Sequence, residues 1–411
     1  MQINYEFLTL IPFIGLLLSM AILPQLLHHA WEKHMGKIVF GWVSLSVILS
    51  LFQHKNLGVY LHAITDEYIP FISLIFALYS IASGMHLNLK LPANPLTNTA
   101  YLFCGSIIAG IIGTTGASLL LIRPFLNLNH HRKFKTHLGV FYIFTISNIG
   151  GAFSPLGDPP LFVGYLKGID FFWPTLYLSL PTLTLLFGVL SIFCCLDAYF
   201  FTKEPKIAPS VEKFSFDGKK NLILLSLAVV LSFLPIPVLL RSLSLLFLGG
   251  VSFYITPLTK RHKWGFHMAP FFEIFKLFIG IFITIAPIID ILKLESATFL
   301  KILNSPTAFF WTTGLLSGIL DNAPTYLVFF HIAGGNPQDL MTTNMTTLMA
   351  ISLGAVFMGA LTYIGNAPNL MVRSIAHHKG AKMPHFFGYM AWSCVILLPL
   401  FWCIQKIFLE S

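Results

Sequence analysis

Uncharged apolar stretches recur along the whole chain, at 7–23, 38–52, 68–81, 99–122, 221–240, 242–258 and 386–405. Several reach or approach the roughly 20 residues that a helix needs to cross a hydrocarbon layer about 30 Å thick. The polar stretches between them are short, which leaves no room for a separate soluble domain. In lipid every backbone polar group must be satisfied within the protein, so spans of this kind are expected as helices. The pattern predicts an all-α polytopic membrane protein forming one membrane domain. Met1 to Glu6 carry no basic residue ahead of the first apolar run, so 7–23 is expected as a permanent span and not as a cleaved leader.

Two of the predicted spans are interrupted. Gly150, Gly151, Pro155, Gly157, Pro159 and Pro160 fall within 138–166, and Gly359, Gly365 and Pro368 within 345–377. Proline removes a backbone donor and clashes with the preceding turn, and glycine is a poor helix former. Both segments therefore read as broken helices, and backbone freed at that depth has to be buried in protein or line a wet cavity.

The interruptions are related. Gly151-Ala-Phe-Ser-Pro-Leu-Gly-Asp-Pro-Pro160 aligns without gaps on Gly359-Ala-Leu-Thr-Tyr-Ile-Gly-Asn-Ala-Pro368, an offset of 208. An offset of 207 places Thr115-Gly-Ala-Ser118 on Asn322-Ala-Pro-Thr325, and one of 206 places Glu67 on Glu273 and Phe76 on Phe282. Offsets close to half of 411 residues read as a duplication, with repeats over 1–205 and 206–411.

Charge orients the repeats. Only 10% of residues are charged, against about 25% in a soluble domain, and mean hydropathy is +0.78. The net charge of +9 does not read as a nucleic-acid surface, because lysine and arginine sit in loops between spans. Treating 99–125 and 306–332 as re-entrant hairpins puts Lys33, Lys37, Lys90, Arg123, Arg132, Lys133, Lys135, Lys203, Lys206, Lys213, Lys219, Lys220, Lys260, Arg261, Lys263, Arg373, Lys379 and Lys382 on one side. Only Lys55, Lys167, Arg241, Lys293, Lys301 and Lys406 fall on the other, with Lys276 in a span. The richer side is cytoplasmic. Ten crossings follow, with both termini outside. Each half then has five crossings and one hairpin, and an odd number of crossings inverts the second copy. Inverted repeats with discontinuous segments are a common construction of secondary transporters.

The breaks carry chemistry suited to a small hard cation. Asp158 lies in the first break and Asp321 at the tip of the second hairpin. A carboxylate inside a membrane costs at least roughly 2.5 kcal/mol and commonly marks an ion path or a proton relay. Around these two are hydroxyls and amides at Thr114, Thr115, Ser118, Ser154, Asn322, Thr325, Thr362, Asn366 and Asn369. Such residues also cap half-helices, and the two roles are compatible. Glu67, Glu273 and Lys276 read more simply as charges at span mouths. The five cysteines have no metal-ligand spacing and read as small buried hydrophobes.

Three motifs carry a resemblance: Ser147-Asn-Ile-Gly-Gly-Ala-Phe-Ser-Pro-Leu-Gly-Asp-Pro-Pro160, Leu320-Asp-Asn-Ala-Pro-Thr325 and Thr362-Tyr-Ile-Gly-Asn-Ala-Pro-Asn369. At these the chain resembles the ion transporter superfamily, specifically the NhaD-like sodium/proton antiporters and the putative citrate transport family beside them. The resemblance implies two hairpins entering from opposite sides, with tips facing the two broken spans. It implies one cation site between Thr115, Ser118 and the Ser154 to Asp158 break, Gly157 included, with Asn148 in the same motif. A second would lie between Asp321, Asn322, Thr325 and the Thr362 to Asn366 break, with Gly365 and Asn369. Dicarboxylate carriers of the superfamily have Ser-Asn-Thr at both tips. Thr115-Gly-Ala and Asn322-Ala-Pro stand there in this chain, which weighs against a carboxylate cargo, as does repulsion from two tip carboxylates.

The leading expectation is a secondary transporter, not an enzyme, that exchanges sodium or lithium for protons across a bacterial inner membrane. Asp158 and Asp321 would bind the transported sodium, with no resident cofactor; a homodimer is among the expected assemblies. The second expectation is a proton- or cation-coupled citrate (carboxylate) carrier. A third class, a membrane di-iron oxygenase, is suggested by histidines at 28, 29 and 34, at 130, 131 and 137, and at 377, 378 and 385. Their spacing is too irregular for repeated ligand faces on helices, and that class leaves the repeat unexplained.

Overall fold

The computed structural model describes residues 8–54, 56–88, 91–204 and 215–410. Lys55, Lys90, Lys206 and Lys213 of the charge pattern lie outside the described residues, as do the boundary between the expected repeats, the first seven residues and Ser411. The side chains of His28, His29 and Lys293 are likewise outside them.

The chain begins with α1 (Leu10–Leu26) and α2 (His28–Phe52). Next, α3 (Gly58–His62) runs through a π-helical turn (Ala63–Tyr68) into α4 (Ile69–Ser83). The pair α5 (Pro95–Ile112) and α6 (Thr114–Leu128) follows, then α7 (Thr136–Thr145), a 3₁₀ turn (Ile149–Phe153), α8 (Pro159–Leu166) and the long α9 (Trp173–Thr202). The second half has α10 (Lys220–Phe233), α11 (Val238–Ile255), α12 (Leu258–Lys263), α13 (Ala269–Ile285), α14 (Ile289–Leu294) and α15 (Ser296–Ile302). It ends with α16 (Pro306–Leu320), α17 (Asn322–Ile332), α18 (Pro337–Met341), α19 (Met345–Met358), a 3₁₀ turn (Gly359–Leu361), α20 (Ala367–His378) and α21 (Phe386–Phe408). Among the described residues seven helices are long and apolar enough to cross a membrane, with shorter apolar helices at Leu10–Pro24, Lys220–Phe233 and Met345–Leu361. This is a helical, multi-pass membrane protein.

Two details differ from an all-helical expectation with buried cysteines. A two-stranded antiparallel ribbon joins β1 (His86–Asn88) to β2 (Ser215–Asp217), where extended loop segments satisfy their backbone by pairing. The cysteines are free, and Cys104, Cys195 and Cys403 are exposed on the outer faces of helices, where thiols act as small apolar groups toward lipid.

The helix pairs are set by their turns. Asn94 and Ser305 cap α5 and α16, accepting hydrogen bonds from Thr97 N and Ala308 N, each followed by proline at the first helical position. Each pair then reverses at a single residue, Gly113 (φ +84°) in the first and Asp321 (φ +139°) in the second. Those two positions are 208 residues apart, the offset of the decapeptide.

The same offset recurs in the packing. The Ser154 hydroxyl donates to the Gly110 carbonyl and accepts from Leu156 N. The Thr362 hydroxyl likewise donates to Gly318 O (2.6 Å) and accepts from Ile364 N. At both breaks glycine is required by close approach: a Cβ on Gly157 would strike the Gly151 carbonyl, and one on Gly365 would strike that of Gly359. We propose that this correspondence reflects the duplication over 1–205 and 206–411, inverted in the membrane, with α5–α6 and α16–α17 as its hairpins.

Candidate functional site

Proline at the start of α8 and α20 makes Asp158 and Asn366 the N-cap residues of those half-helices, both with extended backbone. Neither side chain caps its own helix. Both turn inward and meet: Asn366 Nδ2 donates to Asp158 Oδ1 at 2.9 Å. The same oxygen accepts from Thr114 Oγ1 at 2.8 Å, and Asp158 Oδ2 accepts from Asn322 Nδ2. Asp158 is 1% exposed, and among the described residues no basic side chain bonds to it. One buried carboxylate thus gathers the first residue of α6, the first residue of α17 and both breaks.

The electrostatics follow from this arrangement. α6, α8, α17 and α20 all begin at these residues, so four helix N-termini converge on the carboxylate. Each such terminus carries about half a positive charge and unpaired N–H groups. The convergence and the three side-chain donors stabilise an anion where no arginine or lysine is placed. Thr114 N closes the shell by donating to Gly157 O at 2.7 Å.

A cavity of about 30 Å³ lies against Asp158, bounded by Leu78 of α4, by Gly113, Thr114 and Thr115, and by Leu156 and Gly157. That is room for one or two waters or a bare small ion. A wider groove of about 370 Å³ lies at the outer end of α16, lined by Ser305, Phe309, Thr343 and Thr347, away from both carboxylates.

The other expected residues divide by what their side chains touch. Asn148 Nδ2 donates to Asn369 Oδ1 at 2.8 Å, and Asn369 Nδ2 donates to the carbonyls of Gly359 and Thr362, so these two amides tie one break to the other. Asn148 Oδ1 and Asn322 Oδ1 are buried oxygens without a hydrogen-bond partner. Ser118 bonds Ser147 at 2.8 Å, behind the carboxylate. Ser154 and Thr362 hold their breaks to the helix-pair carbonyls and turn away from Asp158. Thr325 bonds back to Asp321 O at 2.7 Å, as a helical threonine does. Asp321 accepts from Ala323 N at 3.4 Å and so caps α17, within electrostatic range of Asp158. Thr115 lines the cavity without a bond to Asp158; its neighbour Thr114 makes that bond. Two separate loci, one per half, are drawn here to one carboxylate by Asn322 and Asn366.

The expected site places Thr115 and Ser118 at the first tip, with Thr114 only among the hydroxyls around it, and leaves out Ser147 and the α4 wall. Carrying the 208 offset to the tips pairs Gly113 with Asp321 and Thr114 with Asn322, and that pairing points to Thr114. Nothing in the sequence places α4 there.

A second polar cluster lies at the other end of the first helix pair. Asp197 of α9 accepts from Arg132 (2.6 Å), His137 (2.9 Å) and Asn98 (2.9 Å), all buried. Arg132 also pairs with Glu204, and Asn98 and Asn129 exchange hydrogen bonds between α5 and α6. His137 is thereby a hydrogen-bond partner of Asp197, and His130 and His378 contact backbone carbonyls. Among the described residues no group of three histidine, cysteine, aspartate or glutamate side chains is placed to hold a metal.

A buried polar centre where interrupted helices meet, inside a multi-pass helical bundle, defines a membrane transporter. The chain belongs to the family described as "Putative citrate transport", whose model matches residues 2–409. No curated protein matches it.

Proposed function

We propose that the protein is a secondary transporter exchanging sodium or lithium for protons, with Asp158 as the group that holds proton and cation in turn. The observation that carries this reading is the Asp158 carboxylate: buried, ringed by groups from both helix-pair tips and both breaks, and bonded to no basic side chain among the described residues. A buried charge of this kind calls for a proton or a cation as its counterpart. The oxygens within reach are hard donors: the carboxylate, the Thr114 hydroxyl and the free Asn322 Oδ1. A cavity of about 30 Å³ suits a dehydrated ion. Asp321, at the tip of the inverted second hairpin, is the second carboxylate on the ion's route. Movement of the elements that carry this centre against the rest of the chain then exposes it to each side in turn.

A citrate-like cargo is the second reading, favoured by the family description. With Asp158 protonated, the four convergent helix N-termini and the amides of Asn322 and Asn366 would be left to hold substrate carboxylates, which couples uptake to a proton. Proteoliposomes separate the two readings. Sodium-induced proton movement without labelled citrate uptake supports antiport; proton-dependent citrate accumulation without sodium-proton exchange overturns it.

A further inference from the structure

Glu67 and Lys167 form a nearly enclosed ion pair outside the site. Lys167 Nζ lies 2.6 Å from Glu67 Oε1, and the two side chains are 15% and 12% exposed. They are too enclosed to be solvated charges at a span mouth. Glu67 sits in the π-helical turn between α3 and α4. Such turns break the helical ladder and recur at functional positions. Here the turn leaves Thr65 and Asp66 exposed and directs Glu67 and Tyr68 inward, with Tyr68 Oη donating to Phe275 O of α13 at 2.8 Å. Glu67 is thus held on the α4–α13 wall.

Lys167 belongs to the opposite body. It is the C-cap of α8, with its N–H donating to Val163 O and Gly164 O, and Asp158 is the N-cap of the same helix. Eight residues of α8, about 12 Å, separate the ion pair from the carboxylate. α8 packs on α17 and α19, which builds it onto the second helix pair and its break, and it also meets the π-helical turn that carries Glu67. α4 in turn supplies Leu74 and Leu78 to the cavity beside Asp158. The pair therefore spans the seam between α4 and the site-bearing elements, on the side of the membrane where Lys167 lies.

We propose that Glu67 and Lys167 are positioning residues for the transport cycle: a latch that closes Asp158 to the Lys167 side and must part for the site to open there. This rests on alternating access as the mode of transport, not on which ion is carried. A contact made in only one conformation shifts the balance by its own free energy when removed. Leu78→Cys, in a chain freed of its five native cysteines, reports opening by its reaction with a membrane-impermeant thiol reagent applied to either face of oriented vesicles. Glu67→Gln and Lys167→Gln are each expected to raise labelling from one face on the order of fivefold, with little change from the other. The double exchange Glu67→Lys with Lys167→Glu is expected to restore the slow rate. Unchanged labelling, equal acceleration from both faces, or failure of the exchanged pair to restore closure would each overturn the latch. Loss of sodium-proton exchange in the wild-type chain, with one-sided labelling intact, would instead count against the ion assignment alone.

Discussion

The two halves place different chemistry at corresponding positions. Asp158 in the first break stands opposite Asn366 in the second, and Asp197 on α9 stands opposite Gln405 on α21, each pair 208 apart. In the first half, carboxylates tie the helix pair at both ends: Asp158 at its tip, and Asp197 with Arg132 and His137 at its base. In the second half the base is held by Trp311 to Gln405 and by Gln405 and Thr307 to Glu410, a partly exposed carboxylate that also pairs with Lys406. At the turns the order reverses, with Gly113 in the first half and Asp321 in the second. The two halves thus keep matching turns and caps while the first buries its ion pairs and the second leaves the pair at its base partly exposed.

The base of the helix pairs should show this contrast most strongly. Asp197→Ala leaves Arg132 and Asn98 each short of one buried partner and His137 without its acceptor. It is expected to cost about 3 kcal/mol or more of stability. Gln405→Ala, at the corresponding place, removes a buried amide that joins Trp311 to a partly exposed carboxylate and should cost about 1 kcal/mol. Thermal unfolding of the purified proteins measures both, and equal losses would remove the asymmetry between the bases.

At the tips the contrast concerns transport instead of stability. Asp158→Asn keeps the size of the side chain, and Asn366 shows that an amide fits this kind of break. Exchange in proteoliposomes is expected to fall about a hundredfold, equivalent to about 2.7 kcal/mol, while insertion and unfolding temperature are retained. Wild-type exchange in this variant would reduce Asp158 to a structural role.

Asp321 sharpens the comparison from the other side. Its φ of +139° belongs to a region that favours glycine, and Gly113 occupies the corresponding turn at +84°. Strain of this kind costs roughly 1 to 3 kcal/mol and is retained where the side chain has a use. Asp321→Gly should leave the protein as stable or up to about 1 kcal/mol more stable, while lowering exchange about tenfold. A more stable variant with undiminished exchange would leave the carboxylate without a transport role.

Much of this was legible in the residues. The proline and glycine clusters located both breaks, the apolar stretches located α1, α2, α4, α10, α11 and α21, and Asp158, Asn322 and Asn366 stood in motifs. What escaped was register and reach. Alignment of the tips at 207 selects Thr115, whereas the turns at Gly113 and Asp321 are 208 apart, and a shift of one residue on a helix rotates a side chain by about 100°. Glu67 reads as an interfacial charge because its partner is 100 residues away. Arg132, His137 and Asp197 read as loop and span residues for the same reason: long-range burial of charge leaves no local pattern.

The smallest expected effect tests whether the halves are equivalent at all. Ser154 and Thr362 make a matching pair of bonds, to Gly110 O and Leu156 N in one half and to Gly318 O and Ile364 N in the other, and Thr362 also accepts a longer one from Gly365 N at 3.2 Å. Neither hydroxyl reaches Asp158, so removing either should disturb the break and not the ion shell. A buried carbonyl deprived of its donor and a freed backbone N–H together cost about 1 to 2 kcal/mol, once the net value of a neutral hydrogen bond is allowed for. Ser154→Ala and Thr362→Val should therefore lower stability by similar amounts, within about 0.5 kcal/mol of each other, and their effects should add in the double variant because the two sites share no partner. Valine keeps the threonine's shape, so that substitution removes the hydroxyl alone. Similar losses with additivity would mark the breaks as two copies of one structural joint, with the difference between halves confined to the carboxylates. A loss at Ser154 several times that at Thr362 would show that the asymmetry extends into the backbone joint itself, and the duplication would then explain the fold but not the division of labour within it.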